Sequence, residues 1–192
     1  TGHLQAVDQQ DYITKRAPVE FDPDAECPRW LRYLEDVTGG DRDFIDFLRR
    51  VAGYCLTGLT NEQCLFILHG RGGNGKSVFI RRLQTLLGAY AMVAPAEILM
   101  KTNRGGGPTP DLARLKGARL VVASEPEEGA LLGEVVVKRA TGQDTIVWRF
   151  LHANPFEYLP QFKFVIATNH LPRVKGDDYA IWRRIRLLPF NV

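Results

Sequence analysis

The chain has 192 residues, of which 45% are hydrophobic, 24% charged and 10% aromatic, a composition typical of a globular domain. No stretch approaches the run of about 18 apolar residues that a membrane-spanning helix needs, so no membrane segment is expected. The formal net charge of +3 permits nucleic-acid binding without arguing for it. The sequence begins Thr-Gly-His, with neither Met nor a signal peptide, which predicts a segment of a longer protein.

Three cysteines are present: Cys27, Cys55 and Cys64. They form no CxxC pair, and no His stands at metal-ligand spacing from them. The pattern favours buried, reduced thiols in a cytoplasmic protein over a zinc site or a disulfide.

Two helices are predicted in residues 26–59, after a polar lead-in over residues 1–25 that we expect to be poorly ordered. Pro28 begins the first helix, because its missing N–H costs nothing in a first turn. Apolar residues at helical spacing form one face of each helix. They are Trp30, Leu31, Leu34 and Val37 in the first, and Phe44, Phe47, Leu48, Val51 and Cys55 in the second. We interpret residues 26–59 as a small helical subdomain.

From residue 60 the pattern changes to short apolar runs, at residues 65–68, 120–123, 164–167 and 185–188. Continuous apolar runs are typical of strands buried on both faces of a parallel sheet. Alternation with helical segments predicts an α/β domain with a mostly parallel central sheet over residues 60–192. Residues 101–110 are expected to form a flexible Gly-rich loop. The three valines at 135–137 favour a strand by propensity.

Residues 70–77 match G-x-x-x-x-G-K-[ST] at every fixed position, between a predicted strand and a predicted helix. Backbone N–H groups of such a loop converge on phosphates, and the helix N-terminus adds positive potential. We expect Lys76 to reach the β- and γ-phosphates of ATP, and Ser77 to ligate Mg²⁺. The complete predicted phosphate-binding set is Gly70, Arg71, Gly72, Gly73, Asn74, Gly75, Lys76, Ser77 and Val78.

An acidic cluster follows the strand predicted at 120–123, at the sheet edge where phosphates bind. We expect Glu125 to hold the water shell of Mg²⁺ or to polarise the attacking water. Glu127 and Glu128, just beyond, are more simply interpreted as a solvated acidic turn.

Two further positions keep open alternatives when judged from the residues alone. Asn169 ends the strand predicted at 164–167, where an amide can orient water against a γ-phosphate, although Asn is also common in such turns. Arg183 and Arg184 precede the last strand. Adjacent arginines are usually a solvated surface, but in ring ATPases one of them can reach the nucleotide of a neighbouring subunit.

Two β-prone runs around the Asn-Pro turn at 154–155 predict a hairpin. Positive side chains lie in and around it: Lys138, Arg139, Arg149, His152 and Lys163. Ordinary surface charge and contact with a DNA backbone are both consistent with this pattern.

The ordered motifs resemble the superfamily 3 helicase domain of phage and plasmid primase–helicases, a group related to the poxvirus NTPase-primase. The matching segments are CPRW (27–30), GRGGNGKS (70–77), GARLVVASE (117–125), KRATGQD (138–144), FVIATNH (164–170) and IWRRIRL (181–187). The resemblance, from about residue 26 to the end, implies an AAA+-like core in a homohexameric ring. It also implies ATP-driven movement on single-stranded or forked DNA, viral or mobile-element replication, and a primase domain upstream.

The resemblance assigns roles to individual residues. Lys76 and Ser77 fall on the family's first motif, Glu125 on the second and Asn169 on the third. Arg184 best matches the arginine finger, with Arg183 close behind it. One departure concerns the second motif, where many members have two acids and this chain has Ser124 before Glu125.

The family's basic helix before the hairpin corresponds to Lys138 and Arg139, which implies that residues 135–137 are helical. Arg149 and His152 fall on the hairpin that grips DNA in the family.

Two other functions remain open at this level. A P-loop kinase for a small molecule would need an acceptor-binding subdomain and a catalytic acid after the P-loop helix, and neither is evident. A DNA-binding replication or packaging scaffold would use nucleotide for assembly rather than unwinding. DNA-stimulated ATPase activity would separate a helicase from both.

Overall fold

Five parallel strands form the central sheet of the protein, whose computed structural model describes residues 8–101, 110–148 and 154–192. The helices are α1 (Pro28–Thr38), α2 (Arg42–Leu56), α3 (Lys76–Leu87), α4 (Pro110–Ala113), α5 (Glu134–Thr141) and α6 (Tyr179–Trp182). The strands are β1 (Leu65–His69), β2 (Ala91–Ala94), β3 (Leu120–Ala123), β4 (Ile146–Trp148), β5 (Phe156–Tyr158), β6 (Lys163–Thr168) and β7 (Ile185–Pro189). Short 3-10 turns cover Gln9–Asp11, Gly88–Tyr90 and Ala96–Ile98.

The strand order in the sheet is β2-β3-β6-β1-β7, and every neighbouring pair is parallel. Strand β6 therefore lies between β1 and β3, with Ile166 opposite Ile67 on one side and Ala123 on the other. The carboxyl ends of β1, β3 and β6 consequently meet at one edge. The predicted α/β class with a parallel central sheet is confirmed.

Side chains of the strands alternate between two hydrophobic clusters, one on each face of the sheet. In β1, Leu65 and Ile67 belong to one cluster, while Phe66 and Leu68 belong to the other. Both faces are covered, which explains why the strands are continuous apolar runs rather than alternating ones.

Helices α1, α2 and α3 share the cluster on the Phe66 side of the sheet. Gly39 ends α1 in the left-handed conformation, at φ 63°, and Asp41 caps α2 by accepting from the backbone N of Phe44 at 3.0 Å. Both helices occur where the sequence predicts them. The division into a lead-in, a helical subdomain and a core stays a prediction.

Strands β4 and β5 pair antiparallel, with Ile146 opposite Tyr158, as the Asn-Pro pattern predicts. The hairpin packs on the other face of the sheet, where the hydroxyl of buried Tyr158 donates to the carbonyl of Leu112 at 2.6 Å. Helix α5 lies beside it and includes the three valines, so their helical alternative is correct. The cluster holds Val137 in place, and tertiary packing outweighs the β propensity of the run.

Three sequence expectations differ from the structure or lie outside it. Strand β2, at the edge of the sheet, was not predicted, because the run Ala-Met-Val-Ala is short and weakly apolar. Cys27 is exposed, contrary to the expectation of three buried thiols, whereas Cys55 and Cys64 are buried and all three are free. The predicted loop at 101–110 falls almost wholly outside the described residues.

No helix in the described parts of the chain is both long enough and apolar enough to cross a membrane.

Candidate nucleotide site

The P-loop connects the end of β1 to the start of α3 and requires glycine at two positions. A Cβ on Gly70 would lie 1.9 Å from the carbonyl oxygen of Phe190, which follows β7. Gly75 has φ 90°, and a Cβ there would lie 2.6 Å from the Cγ1 of Val37 in α1. The loop is therefore packed tightly between the last strand and the first helix.

Lys76 is the buried cation of this loop, with 8% of its surface exposed. Its Nζ donates to the carbonyls of Gly70 at 2.6 Å and Arg71 at 3.0 Å. It also donates to the Oδ1 atoms of Asn74 and Asn169, each at 3.0 Å. Burial lowers the pKa of Lys76, and the nearby charge of Glu125 opposes that shift.

Glu125 and Asn169 meet because β3 and β6 are neighbours in the sheet. The Oε1 of Glu125 accepts from the backbone N of Asn169 at 2.7 Å and lies 3.4 Å from the hydroxyl oxygen of Thr168. That hydroxyl donates in turn to the carbonyl of His170 at 2.7 Å. The carboxylate is thus held at the ends of two strands rather than free on a turn.

A cavity of about 360 Å³ contains these groups. Its lining consists of Gly72, Gly73, Asn74, Gly75, Lys76, Ser77, Val78, Glu125, Ala167, Thr168 and Asn169. Backbone N–H groups of a glycine loop, one buried cation and the start of α3 suit an anionic phosphate chain. We call this space the phosphate cavity.

Oxygen donors for Mg²⁺ are available in the same cavity. The hydroxyl of Ser77 and the carboxylate of Glu125 both line it, and Mg²⁺ commonly takes one or two protein oxygens beside phosphate and water. The residues therefore fit the ion, although no group of three or more His, Cys, Asp or Glu in the described ranges forms a metal cluster. Ser124 is occupied elsewhere, since its Oγ accepts from the backbone N of Ala96 at 2.9 Å.

The neighbouring acids Glu127 and Glu128 do not line the phosphate cavity. The Oε1 of Glu128 lies 3.9 Å from the Nδ1 of His170, with both side chains largely exposed. The structure thus separates the three acids of the cluster, and only Glu125 lines the phosphate cavity.

Arg183 and Arg184 lie at the amino-terminal end of β1, whereas the P-loop follows its carboxyl-terminal end. The carbonyl of Arg184 accepts from the backbone N of Leu65 at 2.8 Å, and five residues of β1 then lead to the P-loop. At about 3.3 Å per residue, Gly70 is about 16 Å away, well beyond the reach of an arginine side chain. Neither arginine can therefore contact a nucleotide on its own P-loop.

Both arginines are held by Gln63, a residue without a predicted role. The Oε1 of Gln63 accepts from Arg183 and, at 3.2 Å, from the Nη2 of Arg184. Arg184 is only 8% exposed, and its Nε is buried without a hydrogen bond to any described residue. Arg183 is the more accessible of the two.

The basic residues predicted around the hairpin are not equivalent. Lys138 on α5 forms an ion pair with Asp178, the residue that caps α6, and both side chains keep substantial exposure. Arg139 is its neighbour on α5, whereas Arg149 and His152 lie outside the described residues.

Lys163 was expected to contribute to the positive surface, and that expectation is wrong. It is 2% exposed and begins β6, where its Nζ donates to the carbonyls of Thr57, Leu59 and Gln161. Burial lowers its pKa to about 8. Lys163 therefore stabilises the loop after α2 rather than meeting a partner.

Tyr33 is a site residue that the sequence does not reveal. Its hydroxyl donates to the carbonyl of Gly75 at 2.9 Å, across 42 residues of chain. Burial raises the pKa of Tyr33 to about 12. Its position in α1 follows helical periodicity, but only the folded chain brings it to the P-loop.

Comparison with known families gives two matches. A family described as "Family of unknown function (DUF5906)" matches residues 68–184, and one described as "D5 N terminal like" matches residues 1–39.

Three viral proteins are similar in sequence. A protein of Acanthamoeba polyphaga mimivirus named "Putative helicase" is 31% identical over 175 residues, which is 90% of this chain and 18% of that protein. A "Putative helicase" of Frog virus 3 (isolate Goorha) is 33% identical over 157 residues, or 79% of this chain and 16% of that protein. "Primase D5" of Fowlpox virus (strain NVSL) is 25% identical over 151 residues, which is 76% of this chain and 19% of that protein. The chain thus spans less than a fifth of these three proteins.

Two solved structures share the fold. The NrS-1 C terminal region superposes with a TM-score of 0.64 at 18% identity, covering 88% of this chain and 39% of that one. A JCV helicase superposes with a TM-score of 0.55 at 13% identity, covering 88% and 46%.

Proposed function

Because the chain belongs to the DUF5906 family and to the superfamily 3 primase–helicase group, we propose that it is the ATP-hydrolysing motor of a viral-type DNA helicase. The observation that carries the proposal is the meeting of three side chains in one cavity: Lys76 at the start of α3, Glu125 after β3 and Asn169 after β6. The names of the viral relatives, helicases and a primase, support the same function.

In the proposed reaction, water attacks the γ-phosphate in line with the departing β-phosphate oxygen. Lys76 exchanges the carbonyls of Gly70 and Arg71 for phosphate oxygens, a stronger charge-assisted pairing. Glu125 polarises the water, and Asn169 orients it beside that carboxylate. Ser77 and Glu125 offer oxygen ligands for Mg²⁺, and the bound ion would neutralise phosphate charge.

The location of the arginine pair supports a ring. Neither Arg183 nor Arg184 can serve its own P-loop, so an arginine finger would have to come from the neighbouring subunit. We assign a homohexamer on this ground and on the family resemblance. Hydrolysis would then require assembly, since each isolated subunit lacks the arginine that would stabilise the transition state beside Lys76 and Mg²⁺.

Single-stranded DNA would be held by the hairpin β4–β5 and by Lys138 and Arg139 of α5. Lys138 is paired with a single exposed carboxylate, that of Asp178, which a phosphate can replace at low cost. Cycles of hydrolysis would move these elements along the strand.

The proposal is tested by measuring ATP turnover and assembly mass with and without single-stranded DNA. The expected result is slow turnover that rises with DNA and with ring formation, and that Lys76→Ala abolishes. Arg81→Ala is the matched control, since Arg81 lies on α3, is exposed and does not line the phosphate cavity.

Other outcomes would contradict the proposal. Phosphate transfer to a small molecule would identify a kinase, and ATP binding without turnover in the assembled state would identify a scaffold. Wild-type turnover in Lys76→Ala would overturn the nucleotide site itself.

A further inference from the structure

A second cavity, of about 780 Å³, lies between the start of α1 and one face of α3. Residues that line it include Cys27, Trp30 and Tyr33 of the α1 segment and Val78, Arg82 and Leu86 of α3. The last three are spaced four residues apart and so share one helix face. The reaction proposed above uses none of the six side chains.

This cavity adjoins the phosphate cavity. Val78, the residue after Ser77, lines both of them. On the other wall, the hydroxyl of Tyr33 is bonded to the carbonyl of Gly75 in the P-loop. A triphosphate chain on the P-loop therefore has a neighbouring space into which the rest of a nucleotide can extend along α3.

Two aromatic side chains form part of the wall of the second cavity. The rings of Trp30 and Tyr33 have centroids 5.0 Å apart and an interplanar angle of 25°. Trp30 also stacks on Phe79, at 5.8 Å and 22°, and Phe79 is fixed in the core with 1% of its surface exposed. Near-parallel rings anchored on the core suit another planar aromatic group, because stacking needs little reorganisation.

The chemistry of the wall also fits one end of a nucleotide. The lining is mainly apolar, and the charged side chains of Glu26, Arg29 and Arg82 stand at its exposed side. A nucleobase has a large planar face and polar edges. An arginine can stack on that face or donate hydrogen bonds to those edges.

We infer that this second cavity binds the nucleobase of the triphosphate by stacking on Trp30 and Tyr33. We call it the base cavity. The inference rests on the proposed function, because it requires the phosphates to lie on the P-loop. It adds that α1, which precedes the ATPase motifs in the chain, supplies the affinity for the nucleoside part of the substrate.

The first test compares ATP with inorganic tripolyphosphate, which carries the charge but no base. In the wild-type chain, we expect ATP with Mg²⁺ to bind about tenfold or more tightly than tripolyphosphate. Trp30→Leu should remove most of that difference while leaving tripolyphosphate binding unchanged. Trp30→Phe should retain it, because it keeps an aromatic face. Trp182→Leu is the control, since Trp182 lies on α6 and does not line either cavity.

The second test uses Cys27 as a reporter, because it is the exposed thiol in the wall of the base cavity. Burial raises the pKa of Cys55 to about 12 and of Cys64 to about 11, so alkylation near neutral pH falls on Cys27. ATP should slow alkylation of Cys27 at least severalfold, read by mass spectrometry. Tripolyphosphate should not slow it.

The outcomes separate the two proposals. If the wild-type chain binds neither ATP nor tripolyphosphate, the proposed function fails and the base cavity fails with it. If both bind with equal affinity, the phosphate cavity stands and the base cavity is wrong. An equal loss of both ligands in Trp30→Leu, or protection of Cys27 by both, would make the aromatic wall structural only.

Discussion

The Nζ of Lys76 donates a hydrogen bond to the Oδ1 of Asn169 at 3.0 Å, although 93 residues separate them in the chain. The backbone N of Asn169 donates in turn to the Oε1 of Glu125 at 2.7 Å. Asn169 thus joins the amine of Lys76 to the carboxylate of Glu125 by two different hydrogen bonds. In the proposed reaction, a phosphate oxygen would also replace Asn169 as an acceptor of Lys76, and the side-chain amide of Asn169 would then be able to bind water beside Glu125.

Asn169→Ala should slow hydrolysis by roughly ten- to hundredfold, the effect of losing one hydrogen bond to a charged or developing-charge partner. ATP affinity should change by less than about threefold, because phosphate oxygens would replace the Oδ1 of Asn169 as an acceptor of Lys76 in the bound state. Turnover and equilibrium binding measure the two effects. Asn61→Ala is the control, since Asn61 is exposed and bonds only its neighbour Glu62 among described side chains. Unimpaired turnover in Asn169→Ala would remove Asn169 from the reaction.

Glu125→Gln should preserve ATP binding and reduce turnover by about a hundredfold or more, because an amide is a poor proton acceptor. The substituted side chain keeps an oxygen for the backbone N of Asn169, so the local structure should survive. Single-turnover kinetics separate binding from chemistry. Glu128→Gln is the matched control, and inactivity of that variant with an active Glu125→Gln would contradict the placement of the acid.

Neutralising Lys138 and Arg139 together should weaken single-stranded DNA binding and reduce the slope of affinity against salt by about two. Basal ATPase should persist, since neither residue lines the phosphate cavity. The control removes two adjacent charges elsewhere, in Arg49→Ala with Arg50→Ala, on the exposed surface of α2. Equal losses in both double variants would indicate a non-specific charge effect.

Arg184→Ala should bind ATP normally and hydrolyse it on the order of a thousandfold more slowly, as arginine fingers do elsewhere. Mixing it with Lys76→Ala should restore part of the activity, because some interfaces then pair an intact P-loop with an intact arginine. Arg183→Ala receives the same measurement, since Arg183 is the more accessible residue. The thermal unfolding temperature of each variant shows whether losing the hydrogen bond to Gln63 destabilises the fold. Co-assembled mixtures without recovery would exclude a finger acting between subunits.

Lys163 should contribute a rise of about 1 kcal/mol to the free energy of unfolding between pH 7 and 9. Burial lowers the pKa of this amine from 10.5 to about 8, so the unfolded chain binds more protons than the folded chain in this window. This contribution therefore stabilises the folded chain as the pH rises. The raised pKa values of Cys55 and Cys64 act in the opposite sense as the pH approaches their ordinary value of 9.0, and they do so in every variant alike. Denaturant unfolding at each pH should therefore show the contribution of Lys163 as a difference, with stability rising by about 1 kcal/mol more in the wild type and in Lys175→Met than in Lys163→Met.

Local patterns were sufficient for several parts of the fold. The glycines and Lys76 of the P-loop are consecutive, and the flanking strand and helix follow from apolar runs and periodicity. The antiparallel hairpin follows from two β-prone runs and an Asn-Pro turn. Edge strand β2 was not predicted, because its four residues bury little side-chain surface and their conformation depends on pairing with β3.

Burial of individual polar residues was the least predictable feature. Lys163 has the same sequence signature as a surface lysine, yet three carbonyls from segments before and beside it accept its hydrogen bonds. Cys27 resembles the other two cysteines in sequence, yet it stands at the exposed start of α1. Such differences depend on which distant segments pack around a residue. The neighbouring residues in the sequence do not specify those segments.

The sequence by itself determined the glycine-rich loop between β1 and α3, the parallel α/β class and the position of Glu125 after β3, because each follows from local patterns of residues. Only the tertiary structure decided that β6 lies between β1 and β3, and hence that Asn169 meets both Lys76 and Glu125. It also decided that Arg183 and Arg184 lie beside the amino-terminal end of β1, away from the P-loop, and that Tyr33 reaches Gly75. The lateral order of strands is set by long-range packing of two hydrophobic clusters, and no local conformational preference specifies it.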